Sequence, residues 1–254
     1  MKKTAFITGA TSGIGMATAK LFAENNIDLI ICGRRQDRLD NLKDELASKV
    51  SVHTLTFDVR NREMVFEKIE ALPSDFQKID ILINNAGNAH GLDLMQDGSM
   101  DDWDAMIDIN VKGLLYVSKA IMPGMIKRQS GHIINIGSIA GKEVYPKGNV
   151  YCASKFAVDA LNNAMRIDLN EHGIRVGAIN PGLVETEFSE VRFKGDTKRA
   201  AGVYSPLEAL QAHDIADIIH FVVTRPYHVN IADLVVVPTA QASAYVINKN
   251  NRLL

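Results

Sequence analysis

Short, almost wholly apolar runs alternate with longer amphipathic stretches from one end of this chain to the other. Residues 4–8, 27–32, 50–57, 79–83, 132–136, 175–179 and 234–237 read as strands. Few polar residues interrupt them, as expected of strands covered on both faces. Between them, residues 13–25, 38–48, 62–71, 100–128, 150–172 and 207–224 carry helical spacing. A strand that returns through a helix to the next strand runs parallel to it, and a sheet apolar on both sides needs helices on both faces. The pattern predicts an α/β fold with a doubly wound parallel sheet. No Pro/Ser-rich linker, charge run or repeat divides it, so residues 1–254 read as a single domain.

Composition narrows the function classes. At 46% apolar and 23% charged residues, the chain is neither disordered, collagen-like nor a disulfide scaffold. Lys and Arg number 28 against 30 Asp and Glu, so no basic excess exists to neutralise a nucleic-acid backbone, and no nucleic-acid partner is expected. The two cysteines, Cys32 and Cys152, form no C-x-x-C pair or Cys/His cluster. No metal is expected, and a reduced, cytoplasmic setting fits best. The apolar run after Lys3 stops at Thr8-Gly9, short of a signal peptide. No uncharged stretch reaches the ~18 residues of a membrane helix, so no membrane contact is expected.

The first strand runs into Thr8-Gly9-Ala10-Thr11-Ser12-Gly13-Ile14-Gly15, which opens the first helix. Gly9 suits a tight turn, Gly13 lets a phosphate approach the backbone, and Gly15 allows the helix to pack close to the strand. The helix start offers unpaired N–H groups to a pyrophosphate. Dinucleotide binding is the expectation. After the second strand, where an NAD-binding chain carries an acid for the ribose 2′-OH, stand Arg34 and Arg35. Two guanidiniums suit a 2′-phosphate, so NADP(H) is expected over NAD(H). Asp58-Val59 and Asn84-Asn85-Ala86-Gly87 end the third and fourth strands, placed to line an adenine and a ribose or simply to form turns.

Tyr151 and Lys155 stand four residues apart at the start of a helical stretch, so phenol and ammonium share a face. A neighbouring ammonium favours phenolate and lowers a tyrosine pKa from near 10. Ser138 ends a strand thirteen residues before Tyr151 and can hold a carbonyl oxygen beside the phenol. Asn110 falls mid-helix, where its side chain is a poor helix former, which suggests a non-local bond or a kink.

Taken in order, residues 8–15, Asp58, Asn84–Gly87 (84–87), Asn110, Ser138, Tyr151, Lys155 and Pro181-Gly182 resemble the short-chain dehydrogenase/reductase family along essentially the whole chain. The resemblance implies a Rossmann-like sheet of seven parallel strands in order 3-2-1-4-5-6-7. It makes Tyr151 the general acid/base, with Ser138 positioning the substrate oxygen. Lys155 is implied to bind the nicotinamide ribose and lower the tyrosine pKa, and Asn110 to hold a relay water. The implied cofactor contacts are Gly9, Thr11, Ser12, Gly13, Ile14, Gly15, Arg34, Arg35, Asp58, Val59, Asn85, Ala86, Gly87, Tyr151, Lys155, Pro181, Gly182, Val184 and Thr186. Hydride passes directly to or from the cofactor without a metal. A homotetramer or homodimer is implied, with residues 100–128 and 150–172 as candidate contact helices.

A finer resemblance, carried by residues 33–39, 149–151, 181–189, 191–196 and 228–231, points to NADP-dependent 3-hydroxy acid dehydrogenases acting on serine, allo-threonine or related small molecules. Reductases of 3-oxoacyl groups on acyl carrier protein usually close with a V-D-G-G-like segment. Here that place reads Val236-Val237-Pro238-Thr239-Ala240-Gln241. A non-catalytic redox sensor or scaffold on this fold typically lacks the tyrosine or lysine, and both are present. Residues 181–205 show no obvious element and are expected to form a substrate lid at about 183–205. Its cations Arg192, Lys194, Lys198 and Arg199 fall within eight residues, and Arg192 or Lys194 is expected to meet a substrate carboxylate.

Overall fold

The structure is a computed structural model describing residues 2–205 and 207–248. The first half alternates β1 (Thr4–Thr8), α1 (Gly13–Glu24), β2 (Asp28–Gly33), α2 (Gln36–Leu46), β3 (Val52–Thr56), α3 (Arg62–Glu70) and β4 (Ile81–Asn84). Then come α4 (Met100–Ile107), α5 (Leu114–Arg128), β5 (Gly131–Ile136), α6 (Asn149–Asp168) and β6 (Ile174–Pro181). The remainder comprises β7 (Val184–Glu185), α7 (Phe188–Arg192), α8 (Thr197–Tyr204), β8 (Leu210–Gln211), α9 (Ala212–Thr224) and β9 (Asp233–Val236). Seven parallel strands form the main sheet in order β3-β2-β1-β4-β5-β6-β9. This is the expected order, with the last strand ninth in the chain because β7 and β8 pair separately.

The two-sided apolar strands explain the layers. Along β1, Ala5 and Ile7 face the layer that packs Phe22 of α1, Leu39 and Leu42 of α2, and Ile219 of α9. Phe6 faces the opposite layer, with Val65 of α3, Val117 and Ile121 of α5, and Val158 of α6. Successive strand residues point to opposite faces, so a run apolar at every position can only sit between two helical layers.

Two expectations are corrected. Residues 100–128 are not one regular helix, because a π-helical turn at Asp108–Gly113 separates α4 from α5. In that turn the Asn110 side chain bonds to groups outside the helix, and a Cβ on Gly113 would stand 2.7 Å from Val59 Cγ2. π turns accommodate such demands by widening the backbone spiral. Residues 181–205 are not structureless either: they contain β7, α7 and α8. Helix α8 is capped by Asp196, whose carboxylate accepts the Arg199 N–H at 3.0 Å.

The chain leaves β1 toward one side of the sheet and β4 toward the other. A crevice opens between them at the strands' carboxyl ends, where open α/β sheets bind ligands.

Candidate active site

A cleft of about 500 Å³ runs along this edge. At its floor Gly9 and Gly13 adopt φ of +66° and +52°, a region side-chain-bearing residues rarely enter. The turn is held by β4: Thr8 Oγ1 accepts the N–H groups of Asn85 and Ala86, each at 2.9 Å. Asn85 Nδ2 donates to the carbonyls of Thr8 and Gly9 at 2.9 and 3.2 Å. Asn85 therefore lines the cleft with its amide committed to the turn, while Asn84 lies buried behind it, bonded to Ser118 and Asn135. A Cβ on Gly15 would meet the Gly9 carbonyl oxygen at 2.5 Å, and Gly15 does not line the cleft. This is the close helix–strand packing that its lack of a side chain was expected to allow. Ser12 caps α1 without a side-chain bond, so the helix's first N–H groups remain open toward the cleft. This Cβ-free cradle at a helix start fits a pyrophosphate.

Beyond the glycine turn, this end of the cleft gathers Arg34, Arg35, Arg38 and Arg60. Arg35 donates to Thr11 Oγ1 at 2.9 Å and Ser12 Oγ at 3.0 Å, and to Glu187 at 3.0 Å. Arg38 reaches the other oxygen of Glu187. Arg34 keeps a mostly exposed side chain 3.8 Å from Asp58, whose Oδ2 also accepts two hydrogen bonds, from Arg60 Nε and Nη2. Partial burial opposes ionisation of Asp58, but Arg60 and then Arg34 hold its carboxyl below the usual range. Val59, Ala86 and Gly87 line the same stretch of wall.

At the other end Tyr151, Ser138 and Lys155 face the cleft together. Burial pushes the Tyr151 hydroxyl well above its ordinary value, and nearby Tyr145 adds to this; the Ser138 hydrogen bond and the Arg192 charge act the other way. Lys155 lies buried with Nζ donating to the Ile136 carbonyl at 2.9 Å, and burial lowers it to about 8. Ser138 and Arg192 favour the phenolate in this arrangement, and Lys155 follows Tyr151 one turn later on α6. Ser138 Oγ itself accepts the Ala140 N–H at 3.1 Å, and its backbone N–H donates to Asn180 Oδ1 at 3.2 Å.

Asn110 stands behind the cleft wall. Its Nδ2 donates to Asn88 O and Ser154 Oγ at 2.8 and 2.9 Å, and its Oδ1 accepts from Asn88 N at 2.8 Å. With both amide protons committed, the side chain fastens the π turn to Asn88 and to Ser154 of α6. A Cβ on Gly87 would lie 3.0 Å from Asn110 Oδ1 and 3.7 Å from Lys155 Nζ, so only glycine leaves this corner open.

The 183–205 segment brings one cation to the phenol. The Arg192 guanidinium lies 5.5 Å from the Tyr151 ring centroid and 5.6 Å from that of Tyr145. It donates to Tyr145 Oη at 2.9 Å and Gly91 O at 3.0 Å. These partners are a phenol, a carbonyl and two rings, none a carboxylate, among the described residues. Lys194 does not join it: its ammonium pairs with Asp102 at 3.0 Å outside the cleft. Lys198 and Arg199 are exposed, Arg199 resting 4.3 Å over the Phe193 ring. Tyr145, Phe188 and Glu187 line the cleft without having been singled out as site residues. Phe188 packs 5.7 Å from Tyr151 between ring centroids. No local spacing relates these three to Tyr151; the acid beside the lid's Thr186 was the one visible signal.

Pro181, Gly182, Val184 and Thr186 line the cleft opposite the glycine turn. A guanidinium beside a buried phenol and serine can hold an anionic carbonyl compound while the phenol exchanges a proton with its oxygen. Among the described residues no helix is long and apolar enough to cross a membrane.

Comparison with known proteins agrees with this geometry. Residues 3–197 match the short chain dehydrogenase family. The chain is 46% identical over 239 residues to an NADP-dependent 3-hydroxy acid dehydrogenase of Salmonella typhi, covering 94% of this chain and 96% of the relative. It is 42% identical over 252 residues to sulfoacetaldehyde reductase 2 of Chromohalobacter salexigens, covering 98% and 100%. Among solved structures it is similar to the closed form of a serine dehydrogenase complexed with NADP+, with a TM-score of 0.91 and 45% identity over 95% of this chain and 97% of that one.

Proposed function

The chain belongs to the short-chain dehydrogenase family, and on that premise we propose that it is an NADP(H)-dependent oxidoreductase of small 3-hydroxy acids and their oxo forms, serine and allo-threonine among them. The observation that carries the substrate class is Arg192, a guanidinium without a carboxylate partner seated on the ring of the proton-exchanging tyrosine. The names of two relatives support it: a 3-hydroxy acid and sulfoacetaldehyde each carry an anion one carbon from the reacting carbon. A planar five-donor guanidinium suits both anions.

When bound, the nicotinamide supplies or accepts the hydride. Ser138 holds the substrate oxygen beside Tyr151. In reduction Tyr151 gives its proton to that oxygen, and in oxidation it takes the hydroxyl proton. Lys155 is assigned to the nicotinamide ribose, Arg34 and Arg35 to the 2′-phosphate, and the glycine turn to the pyrophosphate. Arg192 holds the substrate anion as the 183–205 lid covers it, excluding water.

The protein is further assigned to the cytoplasm and to a homotetramer or homodimer. Two buried free cysteines support the first. Phe156 and Ile167 on α6 and Leu115 on α5 are exposed, which supports an isologous contact through these helices.

The test is a panel of small alcohols and carbonyls with NADP(H) and NAD(H), with and without an acid group. A preference for acids of at least about tenfold in kcat/KM is expected from one charge-assisted contact. Equal turnover of neutral analogues would overturn the substrate class.

A further inference from the structure

We propose that Glu187 is the latch that closes the lid over the cofactor, pairing with Arg35 and Arg38 across the cleft. This rests on the NADP(H) reading above.

Glu187 stands on the lid just before α7, while Arg35 and Arg38 stand at the start of α2 on the opposite bank. Each carboxylate oxygen takes a different guanidinium: Oε2 accepts from Arg35 at 3.0 Å and Oε1 from Arg38. Arg35 also reaches back to Thr11 Oγ1 and Ser12 Oγ on the glycine turn, at 2.9 and 3.0 Å. On the lid side, Thr186 Cγ2 lies 3.3 Å from where a Cβ on Gly13 would be. The contacts therefore run from the turn through Arg35 and Glu187 to Thr186 and back to the turn.

This ring of contacts is a wall. Thr11, Ser12, Gly13, Thr186 and Glu187 line both the cleft and a second groove of about 480 Å³ on its outer side. A pyrophosphate docked on the α1 start lies under the lid, and the way out through this wall requires Glu187 to release its arginines. Arg34 and Arg35, with Thr11 and Ser12, line the cleft where the 2′-phosphate is assigned.

The latch also reaches the chemistry. Helix α7 begins at the next residue and spans Phe188–Arg192. Its first residue packs on Tyr151 and its last lays a guanidinium over the same ring. A five-residue helix moves as one piece, so closing at Glu187 seats Arg192 in the same step. Partly exposed ion pairs hold weakly, which suits a closure that must reopen in every turnover.

The experiment is stopped-flow release of NADPH from the full-length protein, followed by nicotinamide fluorescence. Glu187→Gln is expected to speed release by about fivefold or more. It should also raise KM for a 3-hydroxy acid while kcat holds or rises. Arg38→Gln should act in the same direction, with the double variant slower than the product of the single effects, since both break one pair. Wild-type release should quicken with salt, and release from Glu187→Gln should respond less. Unchanged or slower release in Glu187→Gln overturns the latch alone; slower release with faster capture would mean that the carboxylate competes with the 2′-phosphate. Failure of wild-type protein to bind NADPH overturns the cofactor reading and the latch with it.

Discussion

The guanidinium carbon of Arg192 lies 5.5 Å from the ring centroid of Tyr151, although the two residues stand on different helices. On the proposed reading, this contact would join the anchor for a substrate anion to the group that exchanges its proton. Tyr145 holds the guanidinium from the far side through a hydrogen bond of 2.9 Å.

Removing that anchor should separate charged from neutral substrates. Arg192→Ala is expected to lower kcat/KM for 3-hydroxy acids by about 10- to 100-fold, the loss of one charge-assisted pair. Turnover of neutral alcohols of the same size should change far less. Arg192→Lys should recover only part, because an ammonium lacks the fork. Steady-state kinetics on paired acid and neutral substrates checks this, and an equal loss on both would contradict the assignment.

With Tyr151 as the proposed proton-exchanging group, its ionisation should set the pH dependence. Burial, with Tyr145 adding, keeps Tyr151 a neutral phenol at neutral pH, a ready donor for carbonyl reduction. Oxidation needs the phenolate, whose population grows with pH. Oxidative kcat/KM should therefore climb by up to ~10-fold per pH unit below the apparent pKa, while reduction falls off on the alkaline side. Ser138 and Arg192 favour the phenolate, so Ser138→Ala and Arg192→Gln should each shift the oxidative limb to higher pH. Tyr151→Phe should lower turnover by ~10²–10⁴-fold with NADPH still bound.

Cofactor choice should depend unequally on the arginine pair. Arg35 is fastened to Thr11, Ser12 and Glu187, whereas Arg34 keeps a mostly exposed side chain. Arg34→Ala is expected to act by weakening the 2′-phosphate contact alone, costing ~10-fold in NADPH affinity with little change for NADH. Arg35→Ala should cost more and loosen the lid as well. Fluorescence titration with both cofactors separates the two effects.

Away from the site, His132 on β5 should make stability acid-sensitive. It is 2% exposed, with both ring nitrogens unpartnered among the described residues. Burial, and then the Arg175 and Lys3 charges, lower it to about 3. This lies below the ~6.5 of an unfolded chain, so the unfolded state binds the proton first. Stability is full above about pH 6.5 and falls toward pH 3 by up to ~1.4 kcal/mol per pH unit. Urea unfolding at stepped pH should find a flatter slope in His132→Leu.

The fold was largely legible because its cues are local. Two-sided apolar strands such as Thr4–Thr8, and the helical spacing between them, admit little besides a parallel sheet with two helical layers. Gly9 and Gly13 announce their positive φ by being glycine, and Tyr151 with Lys155 announce a shared face by spacing. The π turn at Asp108–Gly113 was not legible, since it answers to Asn88 and Ser154, far off in sequence. Helices α7 and α8 are not legible either, being five and eight residues long, too short for a clear periodic signal.

By itself the sequence determined the layers, the phosphate cradle, the arginines after β2 and the tyrosine–lysine helix. Each depends on the backbone freedom of one residue or on neighbours within a few positions. Only the tertiary structure decided that Arg192 rather than Lys194 meets Tyr151, and that Lys155 turns to Ile136. It alone brought Glu187 to Arg35, 152 residues away. Charge identity is written in the chain, but which charges meet is settled by how helices pack on the sheet, and packing leaves no period or spacing to read.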